Sequence, residues 1–203
     1  MASYLCSSAS VLLPLLLIIF IGSTAAASTG RKISWRQAKG RVNCTTDPKY
    51  LCGRVKSVHD GDSLRIIPET NDDGDRASVR VRLMQIDAPE LSQAHGRDSR
   101  KALASRLPRG TRVCVISPGR DYYHRILGFV CLAKDDIAYR MLAEGHAWCY
   151  HNTCNLRYKA ATSAARVAGL GLWTPGQTPM APWAYRRFQR RRARKHRQQG
   201  KKE

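Results

Sequence analysis

The sequence predicts an α+β fold, mainly β: a five-stranded OB-fold Greek-key barrel with appended helices. Five short segments rich in β-branched and apolar residues fill the middle of the chain, which indicates strands. A helical segment separates the third strand from the fourth, and two more follow the fifth. This order of elements is typical of small closed barrels. The same elements also fit an open α+β sheet, and hydrophobic periodicity does not decide between the two.

Turn residues mark where each element begins and ends. The expected strands are residues 54–60, 63–69, 77–87, 111–117 and 125–133. An Asp-Gly-Asp turn joins the first two strands, and Pro89 ends the third. The expected helices are residues 97–107, 137–145 and 155–171, each followed or ended by proline or glycine.

The N-terminal segment differs from the rest of the chain. Val11 to Ile21 form an apolar run too short for a membrane span, which needs roughly 20 residues. Small residues follow at Ala25 and Ala27, as in signal-peptidase sites. We therefore expect a signal peptide at residues 1–27 and a secreted or periplasmic protein. A retained membrane anchor is the less favoured alternative. It is supported by the absence of Lys and Arg before the apolar run, since signal peptides usually begin with positive charge.

Charge is unevenly distributed over the chain, whose formal net charge is +20. Residues 28–50 are polar and basic and predict a linker or N-terminal arm, while residues 51–185 hold the barrel domain. Ten of the eighteen residues at 186–203 are Lys or Arg, which predicts a basic disordered tail, with a frayed helix as the alternative. This positive charge predicts a polyanionic partner, which is a nucleic acid, an anionic membrane surface or an acidic polysaccharide. The tail would then bind phosphates without sequence preference.

Export makes the cysteines interpretable as disulfides. Of the seven cysteines, six lie beyond the predicted signal peptide, and an even number in an exported chain indicates pairing. The simplest pairing joins neighbours in sequence: Cys44–Cys52, Cys114–Cys131 and Cys149–Cys154. A zinc site is disfavoured, because neither a C-x-x-C spacing nor paired histidines support it.

Carboxylates cluster where predicted strands end. Asp60 and Asp62 flank a glycine after the first strand, and Asp87 and Glu90 flank Ala88-Pro89 after the third. Each motif alone is weak, since Asp-Gly also favours hairpin turns. In a small barrel the two strand ends can lie side by side. Asp62, Asp87 and the carbonyl of Ala88 would then bind one hard cation such as Ca²⁺.

This arrangement suits phosphodiester hydrolysis. The metal would polarise a phosphoryl oxygen and orient a water, and Glu90 would take the proton of that water. Arg82 lies on the same predicted strand as Asp87, and Arg125 begins the last strand. Their guanidinium groups would bind the phosphate oxygens and the charge that grows in the transition state. The straight strand would space Arg82 from the acids.

Three motifs, VHDGDSL, RVRLMQIDAPE and DYYHR, in that order resemble the thermonuclease family, whose type member is staphylococcal nuclease. The resemblance covers about residues 54–183 and includes QAHGRDSRKALA, GLGLW and APWAYRR. It implies an OB-fold barrel, one Ca²⁺ ion, and hydrolysis of DNA and RNA at the 5′ P–O bond to give 3′-phosphorylated products. We also expect a monomer with no stable membrane partner after signal removal.

The resemblance assigns a role to each candidate residue. The implied metal ligands are Asp62, Asp87 and Ala88, with Asp60 as an outer-shell acid; the implied catalytic residues are Arg82, Glu90 and Arg125. Tyr123 matches an aromatic position of the nucleotide pocket. Trp148 stands where the type member has a base-stacking tyrosine, and an indole can stack on a base as well.

Two functions of other classes fit parts of the sequence. A catalytically silent OB-fold nucleic-acid-binding protein would keep the barrel without the chemistry. A cationic protein acting on anionic membranes would depend on the basic tail. The joint presence of all the acids and arginines above favours the nuclease.

Overall fold

Five strands of the chain close into a barrel. The computed structural model describes residues 50–69, 77–177 and 179–199. The barrel strands are β1 (Leu51–Val58), β2 (Ser63–Pro68), β3 (Val79–Leu83), β5 (Arg112–Arg120) and β6 (Ile126–Leu132). They pair antiparallel in the order β3-β2-β1-β5-β6, and a parallel pairing of β3 with β6 closes the ring. The closed barrel that the sequence predicted is confirmed, and the open sheet is not formed.

Three very short strands lie outside this ring. β4 (Ile86–Asp87) pairs with β8 (Trp148–Cys149), and β7 (Asp135–Asp136) pairs with the end of β6. Side chains alternate in burial along the barrel strands: Leu64 and Ile66 of β2 are buried, while Arg65 between them is exposed. This period of two is the pattern from which the strands were predicted.

The segment predicted as one long third strand is in fact two strands. β3 ends at Leu83, the chain turns over the next two residues, and Ile86–Asp87 form β4. Gln85 adopts the left-handed backbone conformation (φ 65°), which is incompatible with an uninterrupted strand. The predicted straight spacing between Arg82 and Asp87 is therefore wrong, because the turn folds the two side chains onto each other.

Four helices accompany the barrel: α1 (Gly96–Arg106), α2 (Ile137–Ala143), α3 (Leu156–Val167) and α4 (Pro182–Gln199). Short 3-10 turns span Tyr150–Asn152 and Gly171–Trp173. Asp136 and Asn155 begin α2 and α3, because each carboxylate or amide oxygen accepts the backbone N–H three residues further on. The buried Tyr158 hydroxyl of α3 donates to Asp136 at 2.7 Å, which ties α3 to the start of α2.

The basic C-terminal segment forms a helix over its described part, which is the alternative to the disordered tail that the sequence favoured. The ring of Trp183 stacks on His151 with centroids 4.8 Å apart and meets Trp148 edge-on at 5.8 Å. The Tyr185 hydroxyl hydrogen-bonds to the loop before α1. Residues 187–199 are exposed. The prediction considered charge alone, and these aromatic contacts hold the start of α4 in place.

One of the disulfides predicted from the sequence is confirmed among the residues that the structure describes. Cys149–Cys154 is the predicted disulfide. Residues 1–49, which include the predicted signal peptide, lie outside the described residues. Within the described ranges, no helix has both the length and the apolar character needed to cross a membrane.

Cys52 of β1 is bonded to Cys114 of β5, with Cα atoms 4.0 Å apart. The predicted pairs Cys44–Cys52 and Cys114–Cys131 are therefore wrong. Cys114 lies in register with Cys52 on one side and with Cys131 of β6 on the other. The hairpin was visible in the sequence, but the pairing of β1 with β5 exists only once the barrel closes.

Candidate active site

One open cavity of about 1530 Å³ gathers nearly all of the predicted site residues. Those that line it are Asp60, Asp62, Arg82, Asp87, Ala88, Glu90, Tyr123 and Arg125. They come from the turn between β1 and β2, from β3 to the loop after β4, and from the loop between β5 and β6. Barrel closure brings them together, because Arg82 of β3 is the register partner of Ser63 on one side and of Leu127 on the other.

The turn between β1 and β2 fixes the first carboxylate. The backbone N–H of Asp62 donates to the Asp60 carboxylate at 3.0 Å, so Asp60 shapes the turn. The Asp62 carboxylate in turn accepts the backbone N–H of Ala88 at 2.6 Å. Gly61 allows the turn to press against α1, because a Cβ there would lie 1.8 Å from the Ser99 hydroxyl. The Asp-Gly-Asp motif therefore does more than reverse the chain.

Arg82 joins the two buried carboxylates. Its Nη2 lies 3.0 Å from Asp62 and 2.9 Å from Asp87, while its Nη1 donates to the carbonyls of Leu83 and Ile86. Burial raises the pKa of Asp62 to about 7, against the lowering effect of Arg82, and the neighbouring carboxylates add to the rise. Burial of Asp62 thus outweighs the effect of its arginine partner on this carboxylate.

A second arginine reaches the same carboxylates from α4. Arg186 donates to both oxygens of Asp87, at 3.2 and 2.7 Å, and to Glu90 at 2.8 Å. Partial burial opposes the charge of Arg186, but the hydrogen bonds that it donates to the two carboxylates prevail and raise its pKa. The Arg186 side chain is still 34% exposed and that of Glu90 39%, so this contact faces the solvent-filled cavity.

The loop between β5 and β6 holds Arg125 through one carboxylate. Asp121 accepts the backbone N–H groups of Tyr123 and Arg125 and the Nε–H of Arg125, the last at 2.7 Å. Burial would raise the pKa of Asp121, but the hydrogen bonds from Arg125 and Tyr123 outweigh it and lower the pKa. Within the described residues the two Nη groups of Arg125 have no carboxylate partner, which leaves them available to a ligand.

The two aromatic residues predicted to contact the nucleotide differ in their position relative to the cavity. Tyr123 lines the cavity, is 64% exposed and has the Arg125 guanidinium 5.5 Å from its ring centre. Trp148 does not line the cavity: its indole packs against Trp173, with centroids 4.5 Å apart, and beside Trp183. Stacking of bases on Trp148 therefore gains no support from its position.

The chemistry of the oxygen donors at this site suits a hard cation. Asp62 and Asp87 are buried, and both carboxylates contact Arg82, so their oxygens converge on one point. As folded here, with arginines on these acids, no three Asp, Glu, His or Cys side chains in the described part of the chain form a ready-made metal site. Arg186 is far more exposed than Arg82, which makes it the more accessible of the two arginines on these acids.

Comparison with known proteins identifies relatives. The family of staphylococcal nuclease homologues matches residues 80–175. An uncharacterized endonuclease of Haemophilus influenzae is 36% identical over 140 residues, which cover 68% of this chain and 74% of the relative. An uncharacterized endonuclease of Escherichia coli is 38% identical over 138 residues, or 66% and 84%. The micrococcal nuclease of Shigella flexneri is 32% identical over 147 residues, or 66% and 80%.

The closed barrel, with its cavity of carboxylates and arginines, defines the class of the protein as a hydrolase of the nuclease type. The chain belongs to the family of staphylococcal nuclease homologues. The family resemblance and the enzyme class predicted from the motifs are thus confirmed.

Sequence reasoning missed the part that α4 plays in the cavity. Arg186 and Arg190 both line it, although the sequence assigned them to a tail. Tyr150 lines it as well and was not singled out. A signal for Arg186 was present: the motif APWAYRR places it directly after Trp183 and Tyr185, and aromatic residues of this kind indicate a docked segment.

Proposed function

We propose that the chain is an exported, Ca²⁺-dependent and sequence-nonspecific nuclease that hydrolyses DNA and RNA at the 5′ P–O bond and leaves 3′-phosphorylated products. One observation carries the proposal: a single cavity is lined by two buried carboxylates, by the more exposed Glu90, and by the arginines Arg82 and Arg125. Acids and arginines around one phosphate-sized space are suited to hydrolysis of a phosphodiester.

Asp62, Asp87 and the carbonyl of Ala88 would hold the calcium ion, and Asp60 supports them by shaping the turn. Oxygen donors of this kind, in loose geometry, are what Ca²⁺ accepts. When bound, the ion supplies Lewis-acid stabilisation of a phosphoryl oxygen.

Glu90 acts as the general base. Its carboxylate is 39% exposed, so water reaches it, and its backbone N–H is held by the Gln93 side chain at 3.2 Å. Arg125 binds the phosphate with its Nη groups while Asp121 holds its Nε, an arrangement that fixes the guanidinium plane. Arg82 adds fixed positive charge beside the same phosphate as negative charge grows in the transition state.

The basic character of the chain supports a nucleic-acid substrate without sequence preference. The net charge of +20 favours binding to phosphates, which carry no sequence information. The disulfides Cys52–Cys114 and Cys149–Cys154 support export to an oxidising compartment, either secretion or the periplasm. We further propose a monomer without a stable membrane partner.

Digestion of plasmid DNA and of RNA, with Ca²⁺ and then with a chelator, tests the metal and the substrate. We expect cleavage of both nucleic acids only with Ca²⁺. Cleavage that is unaffected by the chelator would exclude the metal assignment. A product carrying a 5′-phosphate instead of a 3′-phosphate would refute the proposed bond specificity.

Glu90→Gln tests the general base. General-base catalysis contributes roughly 10²- to 10⁴-fold, so turnover should fall by that factor, while binding of DNA remains close to wild type. Glu69→Gln is the matched control, because Glu69 pairs with Arg112 at an exposed position outside the cavity. If Glu90→Gln cleaves as fast as Glu69→Gln, Glu90 is not the base. A catalytically silent binding protein would show no cleavage in any of the variants.

A further inference from the structure

Helix α4 begins at the active-site cavity and carries a row of arginines away from it. Arg186, Arg190, Arg194 and Arg197 follow one another at spacings of four, four and three residues. In a helix such spacings place side chains on one side. Arg186 contacts the site carboxylates, and Arg190 lines the same cavity one turn further on. The row therefore starts at the position where the phosphate would react.

The row is long enough to follow a nucleic-acid strand. At a rise of about 1.5 Å per residue, Arg190, Arg194 and Arg197 lie roughly 6, 12 and 16 Å along the helix from Arg186. Successive cations at these distances match a chain that carries one negative charge per nucleotide. Arginine is suited to this task, because its planar guanidinium binds two phosphate oxygens at once.

Among the described residues, the arginines of the row beyond Arg186 have no carboxylate to neutralise them. α4 contains no acidic residue, and within the described residues no carboxylate pairs with Arg190, Arg194 or Arg197. Like charges four residues apart destabilise a helix. A helix that keeps such a row exposed beside an active site therefore gains stability from a polyanionic ligand.

The composition of α4 favours nucleic acid over a lipid surface. A helix that lies on a membrane needs a broad apolar face in addition to its cations. Over residues 187–199, Phe188 and Ala193 are the apolar side chains, one on each side of the helix. The docked aromatic residues Trp183 and Tyr185 are engaged by the rest of the protein.

We propose that Arg190, Arg194 and Arg197 form a phosphate-binding surface for the substrate strand that leads away from the cavity. This inference rests on the proposed function, since it concerns the strand whose phosphodiester lies at the same site. The surface contacts backbone phosphates and contributes affinity without sequence preference. It makes one side of the cavity the binding side for the flanking nucleotides.

Binding to a fluorescein-labelled single-stranded DNA of mixed sequence, measured by anisotropy in a chelator over a series of salt concentrations, tests the surface. The full chain with Arg190→Gln, Arg194→Gln and Arg197→Gln combined should lose three phosphate contacts. The slope of log affinity against log salt should fall by about 2, and affinity at about 0.1 M salt by up to roughly 100-fold. In the presence of Ca²⁺, KM for the same strand should rise in parallel.

The matched control removes the same amount of charge from the other side of α4. Arg191→Gln, Arg192→Gln and Lys195→Gln combined should change the slope by less than half as much, because these side chains point away from the row. Equal losses in the two triple variants would overturn the proposal, since they would show a general effect of charge. Circular dichroism checks that each triple variant retains its helix, and glutamine favours helix formation.

Two further outcomes separate this inference from its rivals. Loss of binding to phosphatidylserine vesicles, with DNA binding unchanged in the Arg190, Arg194 and Arg197 variant, would overturn it in favour of a membrane surface. If the wild-type chain cleaves nothing, the proposed function fails, but the anisotropy experiment still reports on the row. If cleavage occurs and the salt slope of the triple variant equals that of the wild type, the row alone is refuted.

Discussion

Replacing Arg186 with glutamine should tighten the binding of Ca²⁺ to the nuclease. In the absence of metal, the Arg186 guanidinium holds both oxygens of Asp87 and one of Glu90. A calcium ion that binds Asp87 competes with this guanidinium for the same carboxylate. Glutamine is shorter and carries no charge, so it removes the competitor while leaving a polar, helix-compatible side chain at this position.

The expected magnitude follows from the contacts of Arg186. Its three hydrogen bonds to carboxylates range from 2.7 to 3.2 Å, and hydrogen bonds to charged groups contribute about 1.5–3 kcal/mol each when buried. The side chain is 34% exposed, however, and exposed ion pairs contribute only about 0.2–1 kcal/mol. A net competition of about 1–2 kcal/mol is therefore reasonable, which corresponds to a roughly 5- to 30-fold lower Kd for Ca²⁺.

Isothermal titration of Ca²⁺ into the full chain measures this change without relying on activity. Arg187→Gln is the control for overall charge, because Arg187 is the next residue and has no carboxylate partner among those that the structure describes. Arg186→Lys keeps the charge but loses the two-pronged contact with Asp87, and it should give an intermediate affinity. If Arg186→Gln binds Ca²⁺ no more tightly than Arg187→Gln, Arg186 does not compete for the metal site.

Three other perturbations have defined outcomes. Gly61→Ala should destabilise the protein and weaken Ca²⁺ binding, since the new Cβ would lie 1.8 Å from a hydroxyl of α1; an unchanged Tm and affinity would contradict the close packing. His95 and His146 hydrogen-bond at 3.1 Å, and burial lowers both pKa values. Below a pH of about 6.5 the unfolded chain therefore binds more protons than the folded protein does. The free energy of unfolding should then decrease by up to about 1.4 kcal/mol per pH unit for each histidine. In His146→Asn the urea midpoint of unfolding should decrease less steeply as the pH is lowered. Removing the Cys52–Cys114 disulfide, which closes a loop of 62 residues, should cost about 4 kcal/mol in unfolding free energy, and a loss near zero in urea titrations would refute this.

The barrel could be predicted because its signals are local. Alternating burial in β2 and turn residues at strand ends are written into neighbouring positions, as Leu64, Arg65 and Ile66 illustrate. The turn at Gln85 could not be predicted in the same way, since a glutamine rarely adopts the left-handed conformation. The order of β1 and β5, which decides the partner of Cys114, depends on contacts between distant segments.

The sequence predicted which residues share one cavity, but it did not predict the contacts among them. The order of the acids and arginines pointed to one cavity, and the residues do line one cavity, with Trp148 as the exception. The interactions among them depend on a turn and a helix that the motifs do not specify. Arg82 was expected to stand apart from Asp87, yet their side chains lie 2.9 Å apart. Arg186 was assigned to a basic tail, yet it contacts two of the acids.

Two arginines that differ in exposure neutralise the acids of the site. Arg82 is buried and gives four hydrogen bonds or ion pairs to atoms of its own barrel, so exchanging it would disrupt the fold. Arg186 lies in the docked first turn of α4, outside the barrel strands, and directly before the exposed residues 187–199. Buried carboxylates need counter-charges to fold before any metal arrives. The acids are therefore neutralised by a buried cation of the barrel and by a more exposed cation from α4. The second of these, Arg186, is also the residue after which Arg190, Arg194 and Arg197 follow along the helix.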